Sequence, residues 1–488
     1  MKVHGKQISV QTLMNVSGVC FGTSGMRGLV SNMSSEVCFV YTTAFLRTLS
    51  VTSGSVALAM DLRPSSPKIA EACAAAIQHA GLKVEFCGTI PTPALAGYAQ
   101  AQGWPAIMIT GSHIPFDRNG IKFYGFSGEI SKADELAIGL AEVIIPRDGL
   151  TIKLPSVNKS AYQHYINRYL QFFAPRSLAG LKLGFYEHSS VARDLLKELL
   201  QELGAEVISL GRTDAFVPID TEAVTEADIQ KAKRWAEEFG FDAILSTDGD
   251  ADRPLLGDEN GHWFRGDIAG ILCAQYLAAQ AVVTTVSCNT ALELSSSFTK
   301  TIRTRIGSPY VIEAIEKLIC LGAKDVVGFE PNGGFLVGTQ ISRNGRILPP
   351  LLTRDAVLPI LCLLLMAREN SNKVSALLQK LPTRFTASDR LQNVPLEASR
   401  SMLQEFSVSP SSAIKLLLGD SYGEPIGLDK TDGLRIMLEG NVIVHLRPSG
   451  NAPELRCYAE SDSQESAWCV VKTCLSQIRS KLDSNLII

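Results

Sequence analysis

The chain has 488 residues, of which 46% are hydrophobic and 19% charged, and its formal net charge is −3. That length exceeds one ordinary core and divides into about three or four domains, and the apolar content excludes a disordered chain. The charge balance excludes the global basic field that nucleic acid or an anionic membrane attracts, so an anionic substrate needs a local cationic site.

Met1 to Val10 carries polar and basic residues without an apolar core, so no secretory signal is expected. Strand and helix signals then alternate: strand Ser55–Met60, helix Pro67–Ala80 ending before Gly81, strand Val84–Cys87, helix Ala94–Ala101 and strand Pro105–Thr110. This alternation predicts βαβ units and a largely parallel sheet. Asn119-Gly120 reads as a turn before a strand at Ile121–Tyr124, and Lys132–Ile144 as a closing helix. A linker at Pro146–Leu150 leads to a second unit: helix Ala161–Phe173, strand Leu181–Tyr186, helix Val191–Leu203, strand Glu206–Leu210, helix Glu226–Phe239 and strand Asp242–Ser246. A third follows, with helix Asp267–Ala279, strands at Ala281–Ser287 and Thr301–Arg305, helix Tyr310–Leu321 and strand Asp325–Gly328. The run Ala356–Ala367 contains Pro359 and is too short for the roughly 20 residues of a membrane span, so it is expected as a buried helix. Beyond the polar stretch Arg368–Lys373 the pattern becomes α+β, with helices Leu396–Phe406 and Glu465–Lys481 around strands Gly433–Met437, Val442–Leu446 and Glu454–Ala459. The expected division is 1–150, 151–265, 266–375 and 376–488. Eleven cysteines without a C-x-x-C pair read as reduced thiols of a cytoplasmic protein.

Three apolar strands end in loops dense with glycine and reactive side chains, at Ser112, Asp248 and Glu330, and ligands of open α/β sheets gather at the carboxyl ends of strands. Ser112 has His113 beside it and Lys122 ten residues on, a set suited to covalent chemistry and proton transfer. Adjacent residues rarely face each other and no G-x-S-x-G is present, so a serine-hydrolase triad is not implied. Asp248, Asp250 and Asp252 alternate, and on extended backbone all three point one way. Their mutual repulsion is relieved by a divalent cation, and hard oxygen donors suit Mg²⁺ or Ca²⁺. A calcium loop of the EF-hand type fails, because Arg253 stands where that loop requires glycine and a strand precedes it. Arg253 is more naturally a phosphate or carboxylate partner. The turn Arg447-Pro448-Ser449-Gly450-Asn451, with Arg456 on the next strand, offers a guanidinium, a hydroxyl and backbone amides to a phosphate. Glu330 and Asn332 are types suited to sugar hydroxyls.

Together these loops resemble those of the α-D-phosphohexomutase family. Phe21-Gly22-Thr23-Ser24-Gly25-Met26-Arg27-Gly28 is similar to its N-terminal signature, Thr110-Gly111-Ser112-His113 to its phosphoserine loop, and Asp248–Arg253 to its Mg²⁺ loop. Gly328–Gly334 resembles its sugar-specificity loop and Arg447-Pro448-Ser449-Gly450 its phosphate-binding loop. The resemblance implies an α/β protein of four domains, three similar mixed-sheet domains and a smaller α+β C-terminal one, around a central cleft. It implies that Ser112 is phosphorylated and shares Mg²⁺ with Asp248, Asp250 and Asp252. It makes Lys122 and His113 candidates for proton transfer and puts Arg27 and Arg253 near the phosphoserine. Glu330 and Asn332 would hold sugar hydroxyls, while Arg447, Ser449, Gly450 and Asn451 would hold the idle phosphate.

The implied reaction interconverts hexose 6-phosphate and hexose 1-phosphate through a bisphosphate, which also serves as activator. Mannose phosphate is the first expectation, glucose phosphate the second and glucosamine phosphate the third. A metal-dependent sugar phosphatase is the alternative of a different class, and the Arg447 turn argues against it, since a hydrolase needs no second phosphate anchor. The expected partner is a phosphorylated hexose, with no nucleic acid and no membrane, and the expected state a monomer or homodimer. Four positions depart from the family pattern: Ile114 stands where asparagine is usual, Asn451-Ala452 replaces Thr-Glu, and Asn332 replaces a common serine.

Overall fold

The computed structural model describes residues 5–22, 24–370, 373–449 and 453–485. Two compact units result: one from residues 1–282 and 307–377, the other from 283–306 and 378–488.

The larger unit begins with a sheet whose strands Lys83–Thr89, Ser55–Met60 and Ala106–Ile109 run parallel. From there it turns antiparallel, through Arg118–Gly125 to Met26–Leu29 and Cys20–Phe21. The sheet is therefore mixed where the alternation predicts a largely parallel one. A short connection after Ala106–Ile109 returns the chain as a hairpin, which local periodicity does not reveal. Asn119-Gly120 also differs from expectation. Both lie inside strand Arg118–Gly125, and the Asn119 amide donates to Ser65 Oγ at 2.8 Å and Ser66 Oγ at 3.0 Å. A tertiary partner for the side chain overrides the turn preference.

The expected helix Lys132–Ile144 ends at Leu140, and Glu142–Ile145 instead pairs antiparallel with Lys6–Ser9. The β-branched Val143, Ile144 and Ile145 alternate in burial along that strand, a fit to sheet that outweighs continuation of the helix. Of the N-terminal stretch, residues 1–4 lie outside the described residues. Helix Ser35–Thr48, absent from the sequence reading, begins at the Ser34 cap, whose side chain accepts from Val37 N–H.

In the second sheet, strand Lys182–Tyr186 is central, parallel to Glu206–Leu210 and to Ala243–Thr247. Ala243–Thr247 folds back antiparallel onto Pro254–Gly257. The helix expected from Val191 starts at Leu195, after a turn. Farther along, Val326–Phe329, Phe335–Val337 and Leu351–Asp355 are antiparallel neighbours. Helix Val357–Glu369 packs against helix Gly266–Tyr276 and buries every residue from Val357 to Ala367. Each large side chain so buried stabilises by roughly 1.5–3 kcal/mol. No helix among the described residues is long and apolar enough to cross a membrane.

The smaller unit carries a five-stranded antiparallel sheet in the order Phe385–Gln392, Glu454–Ser461, Ile443–Pro448, Leu434–Leu438, Pro425–Asp429. Three of these strands are expected from the sequence. The outer two carry polar residues in runs (Ser388 to Arg390) or a weak apolar signal, so alternation alone does not expose them.

Candidate active site

Strand Ala106–Ile109 is buried along its whole length and ends at the serine loop. Ser112 there adopts φ +52°, a left-handed conformation uncommon for a residue with a side chain. A single arginine holds the loop in that shape. Arg63 donates through Nη2 to the carbonyls of Ser112 (2.9 Å) and Ile114 (2.6 Å), and through Nη1 to those of Pro115 (2.7 Å) and Arg118 (2.9 Å). Its Nε reaches Asp61 Oδ2 at 3.2 Å, and its guanidinium stacks 4.0 Å above the Phe216 ring. Gly111 permits the approach, since a Cβ there would lie 2.6 Å from Arg63 Cζ. Arg63 is missing from the sequence reading. A signal was present: Asp61-Leu62-Arg63 follows the carboxyl end of a parallel strand in the same sheet, the position already used to single out Ser112. Arg63→Ala would leave Asp61 buried without its cation and remove the guanidinium donor from four carbonyls, of which that of Pro115 keeps the Arg118 N–H at 3.1 Å. A loss of about 3–5 kcal/mol is expected, read as a lower urea midpoint; an unchanged midpoint would dismiss the clamp.

Lys122 follows from strand parity. On Arg118–Gly125, Ile121 and Phe123 point into the apolar core, so Lys122 points to the other face. There its Nζ lies 2.6 Å from both Asp250 Oδ2 and Asp252 Oδ2.

The three aspartates converge by a different route from the extended backbone expected of their spacing. After strand Ala243–Thr247 the chain makes a tight turn with Ala251 at φ +56°, closed by Asp248 N–H to Arg253 O at 3.1 Å. Asp248 Oδ1 accepts the amides of Asp252 and Arg253, each at 3.2 Å, and Asp248 Oδ2 accepts Ser112 Oγ at 2.5 Å. Thr92 adds a strut the sequence reading missed, its amide on Asp250 O at 2.9 Å and its hydroxyl on Asp250 Oδ2 at 2.6 Å.

The donors leave a particular set of oxygens over. Asp250 Oδ1 and Asp252 Oδ1 are buried without a hydrogen-bond partner. One oxygen from each of the three aspartates lies within 4.8 Å of the others. A buried carboxylate oxygen without a donor is costly, and two of them beside a third carboxylate fit a hard divalent cation such as Mg²⁺.

Charge in the site is sharply divided. Burial, with Asp250 and Asp252 as like-charged neighbours, pushes the Asp248 carboxyl well above its ordinary range. Burial acts the same way on Asp252, but Arg354, Lys122 and Arg253 overcome it and hold that carboxyl far below. Arg27 is pulled down to about 10 by burial and by the nearby Arg253 and Arg354. His113 is driven well below the usual histidine range by burial, Arg253 and Arg27. Arg253 Nη1 lies 2.9 Å from His113 Nδ1, and a guanidinium can only donate. His113 therefore accepts at Nδ1 and carries its proton on Nε2, a neutral donor and not a base. Cations crowded this closely beside a serine hydroxyl suit an anionic group at that hydroxyl.

The remaining expected residues divide between the two units. In the larger, Glu330 and Asn332 are buried, with Glu330 Oε2 held by Arg354 Nη1 at 3.1 Å. Asn332 Oδ1 caps Gly334 N–H at 2.9 Å, and its carbonyl accepts Thr221 Oγ1 at 2.8 Å. Asn332 thus has a demonstrable loop-shaping role. In the smaller unit, Arg447 Nε pairs with Asp432 Oδ2 at 2.9 Å, and Ser449 N–H bonds Glu454 O at 2.8 Å. Arg456 sits directly across the strand pair from Arg447. Gly433 has φ +83° and no room for a Cβ, which would meet Leu446 O at 2.3 Å. Thr23, Gly450 and Asn451 lie outside the described residues.

Comparison with known proteins agrees along nearly the whole chain. Residues 18–140, 160–261 and 265–385 match alpha/beta/alpha domains I, II and III of phosphoglucomutase/phosphomannomutase, and 390–470 match its C-terminal domain. A phosphomannomutase of Salmonella muenchen is 49% identical over 474 residues, 96% of this chain and 98% of that one. A phosphomannomutase of Sinorhizobium fredii is 43% identical over 475 residues, 95% and 100% of the two chains. Among solved structures, a putative phosphomannomutase of Thermus thermophilus superimposes with a TM-score of 0.73 at 21% identity, covering 95% of this chain and 99% of that one, a likeness of fold. Three α/β/α domains and a C-terminal domain, in family order and carrying this serine and aspartate site, establish that the chain belongs to the phosphoglucomutase/phosphomannomutase family.

Proposed function

We propose that this enzyme interconverts hexose 6-phosphate and hexose 1-phosphate, with mannose phosphate preferred, through phospho-Ser112 and a hexose bisphosphate. The observation that carries the proposal is the placing of Ser112 Oγ 2.5 Å from Asp248, beside two buried carboxylate oxygens that lack donors and a cluster of cations. The mannose preference draws on the two relatives named phosphomannomutase at 49% and 43% identity.

Phosphoryl transfer is chiefly a matter of placement and charge neutralisation. The bond from phosphorus to Ser112 Oγ breaks as a bond to a sugar hydroxyl oxygen forms. The sugar's proton ends on Ser112 Oγ, which then donates to Asp248 Oδ2 as seen here. Reversal at the other phosphate restores phospho-Ser112. Asp248, Asp250, Asp252 and the phosphate on Ser112 would hold Mg²⁺, which supplies charge neutralisation at the transferring oxygens. Arg27, Arg253 and the His113 Nε2–H bind the phosphoryl oxygens. Lys122, the candidate left for proton transfer once His113 is fixed as a donor, relays the proton between sugar and serine. Glu330 and Asn332 orient the sugar, and Arg447, Ser449, Gly450, Asn451 and Arg456 hold the idle phosphate. A hexose 1,6-bisphosphate primes Ser112. The proposal places the enzyme in the cytoplasm as a monomer or homodimer.

A coupled assay with mannose 1-phosphate and glucose 1-phosphate, with and without hexose 1,6-bisphosphate, tests the reading. Isomerisation favouring mannose and stimulated by bisphosphate is expected. Phosphate release without isomerisation would replace the mutase with a sugar phosphatase.

A further inference from the structure

We infer that Arg354 is a positioning residue joining the metal-side carboxylate of Asp252 to the sugar-side carboxylate of Glu330, so that sugar binding and divalent-cation binding are coupled through one guanidinium. The inference rests on the phosphohexomutase reading above and adds a residue outside every loop the sequence singled out.

Arg354 stands on strand Leu351–Asp355 and is buried, 3% exposed. Its Nε and Nη2 lie 3.0 and 2.8 Å from Asp252 Oδ2, and its Nη1 lies 3.1 Å from Glu330 Oε2. Ser24 Oγ (3.3 Å) and Ser308 Oγ (3.4 Å) flank the guanidinium. Both hydroxyls donate to the half-buried Glu129, at 2.5 and 2.9 Å, closing a ring around the arginine head. Its stem passes the specificity loop where that loop has no side chain. A Cβ on Gly334 would lie 2.6 Å from Arg354 Cδ and 2.7 Å from Cγ.

The consequence is geometric. Arg354 and Lys122 together occupy Asp252 Oδ2, which leaves Oδ1 without a hydrogen bond, facing Arg253 Nε at 3.5 Å. The same guanidinium fixes which oxygen of Glu330 is engaged. Two carboxylates on one rigid planar fork cannot shift independently, whereas a lysine ammonium is a point charge on a flexible stem, without a fork to fix the geometry of one carboxylate against the other. A sugar that draws on Glu330 therefore changes the hold on Asp252, and a cation that draws on Asp252 changes the hold on Glu330. Such coupling is reciprocal.

The test measures melting temperature against Mg²⁺ concentration, with and without mannose 1-phosphate, for the wild type, Arg354→Lys and Glu330→Gln. In the wild type the sugar phosphate is expected to shift the Mg²⁺ concentration for half-maximal stabilisation by about fivefold or more. In Arg354→Lys that concentration should rise by about 10–100-fold and the sugar-dependent shift should vanish. Glu330→Gln, which keeps the volume and removes the charge, should also abolish the shift while leaving Mg²⁺ affinity without sugar closer to wild type. A sugar-dependent shift that persists in Arg354→Lys, or is missing from the wild type, overturns the inference. A purely structural arginine would lower the melting temperature of the metal-free protein and leave the shift intact. Absence of isomerisation by the wild type would overturn the function reading instead, because the melting measurement does not depend on turnover.

Discussion

Ser112→Ala is expected to lower isomerase turnover by at least about 10⁴-fold, with the fold kept. The hydroxyl is hydrogen-bonded to the aspartate loop, on Asp248 Oδ2. Its removal leaves that oxygen short of one donor, while Asp248 Oδ1 keeps two backbone amides. The stability cost should be about 1.5–3 kcal/mol, the size of one hydrogen bond to a charged group. The serine loop keeps its shape because Arg63 binds carbonyls and not the hydroxyl. A coupled assay, a melting curve and intact mass after incubation with hexose 1,6-bisphosphate check the expectation. The wild type should gain one phosphoryl group and the variant none. Turnover near the wild-type rate in the variant would remove Ser112 from the mechanism.

Asp250→Asn should raise the Mg²⁺ concentration for half-maximal rate by at least about a hundredfold, beyond the usual effect of a residue acting only through a ligand. Asp250 brings one buried oxygen without a donor to the cluster and uses the other to receive Thr92 and Lys122. An amide supplies a weaker neutral donor atom and turns an N–H₂ group toward one of those partners. Without metal the effect should be small, since losing one of three mutually repelling carboxylates offsets the lost contact with Lys122. The increase in melting temperature on adding Mg²⁺ should therefore be lost, while the melting temperature in chelator changes little. Equal Mg²⁺ stabilisation in the two proteins would rule out the aspartate cluster as the metal site.

The reactive loops were legible because each follows an apolar strand and breaks abruptly into glycine and polar residues, at Thr110–Ser112, Asp248–Asp252 and Glu330–Gly334. Such punctuation is local, and reading it requires no knowledge of neighbours. Arg63 and Arg354 carry no local signal of this kind, because neither lies in a glycine-rich loop and their importance comes from partners 49 and 102 residues away. Thr92 lies 158 residues from Asp250. Strand Glu142–Ile145 looks helical in sequence because its partner, Lys6–Ser9, lies more than 130 residues earlier in the chain. Asn119-Gly120 carries a turn signal that Ser65 and Ser66, which hold Asn119 in a strand and are not its neighbours in sequence, override.

By itself the amino-acid sequence determined the succession of α/β units, the serine and aspartate loops and the residue types available for phosphoryl chemistry. These depend on periodicity and turn preference within short windows. Only the tertiary structure decided that Arg253 makes His113 a donor, that a left-handed turn and not extended backbone brings the aspartates together, and that Arg354 joins two carboxylates. The reason is physical: protonation state and the choice of oxygen are fixed by burial and by charges brought close in space, and those neighbours are set by the packing of whole sheets.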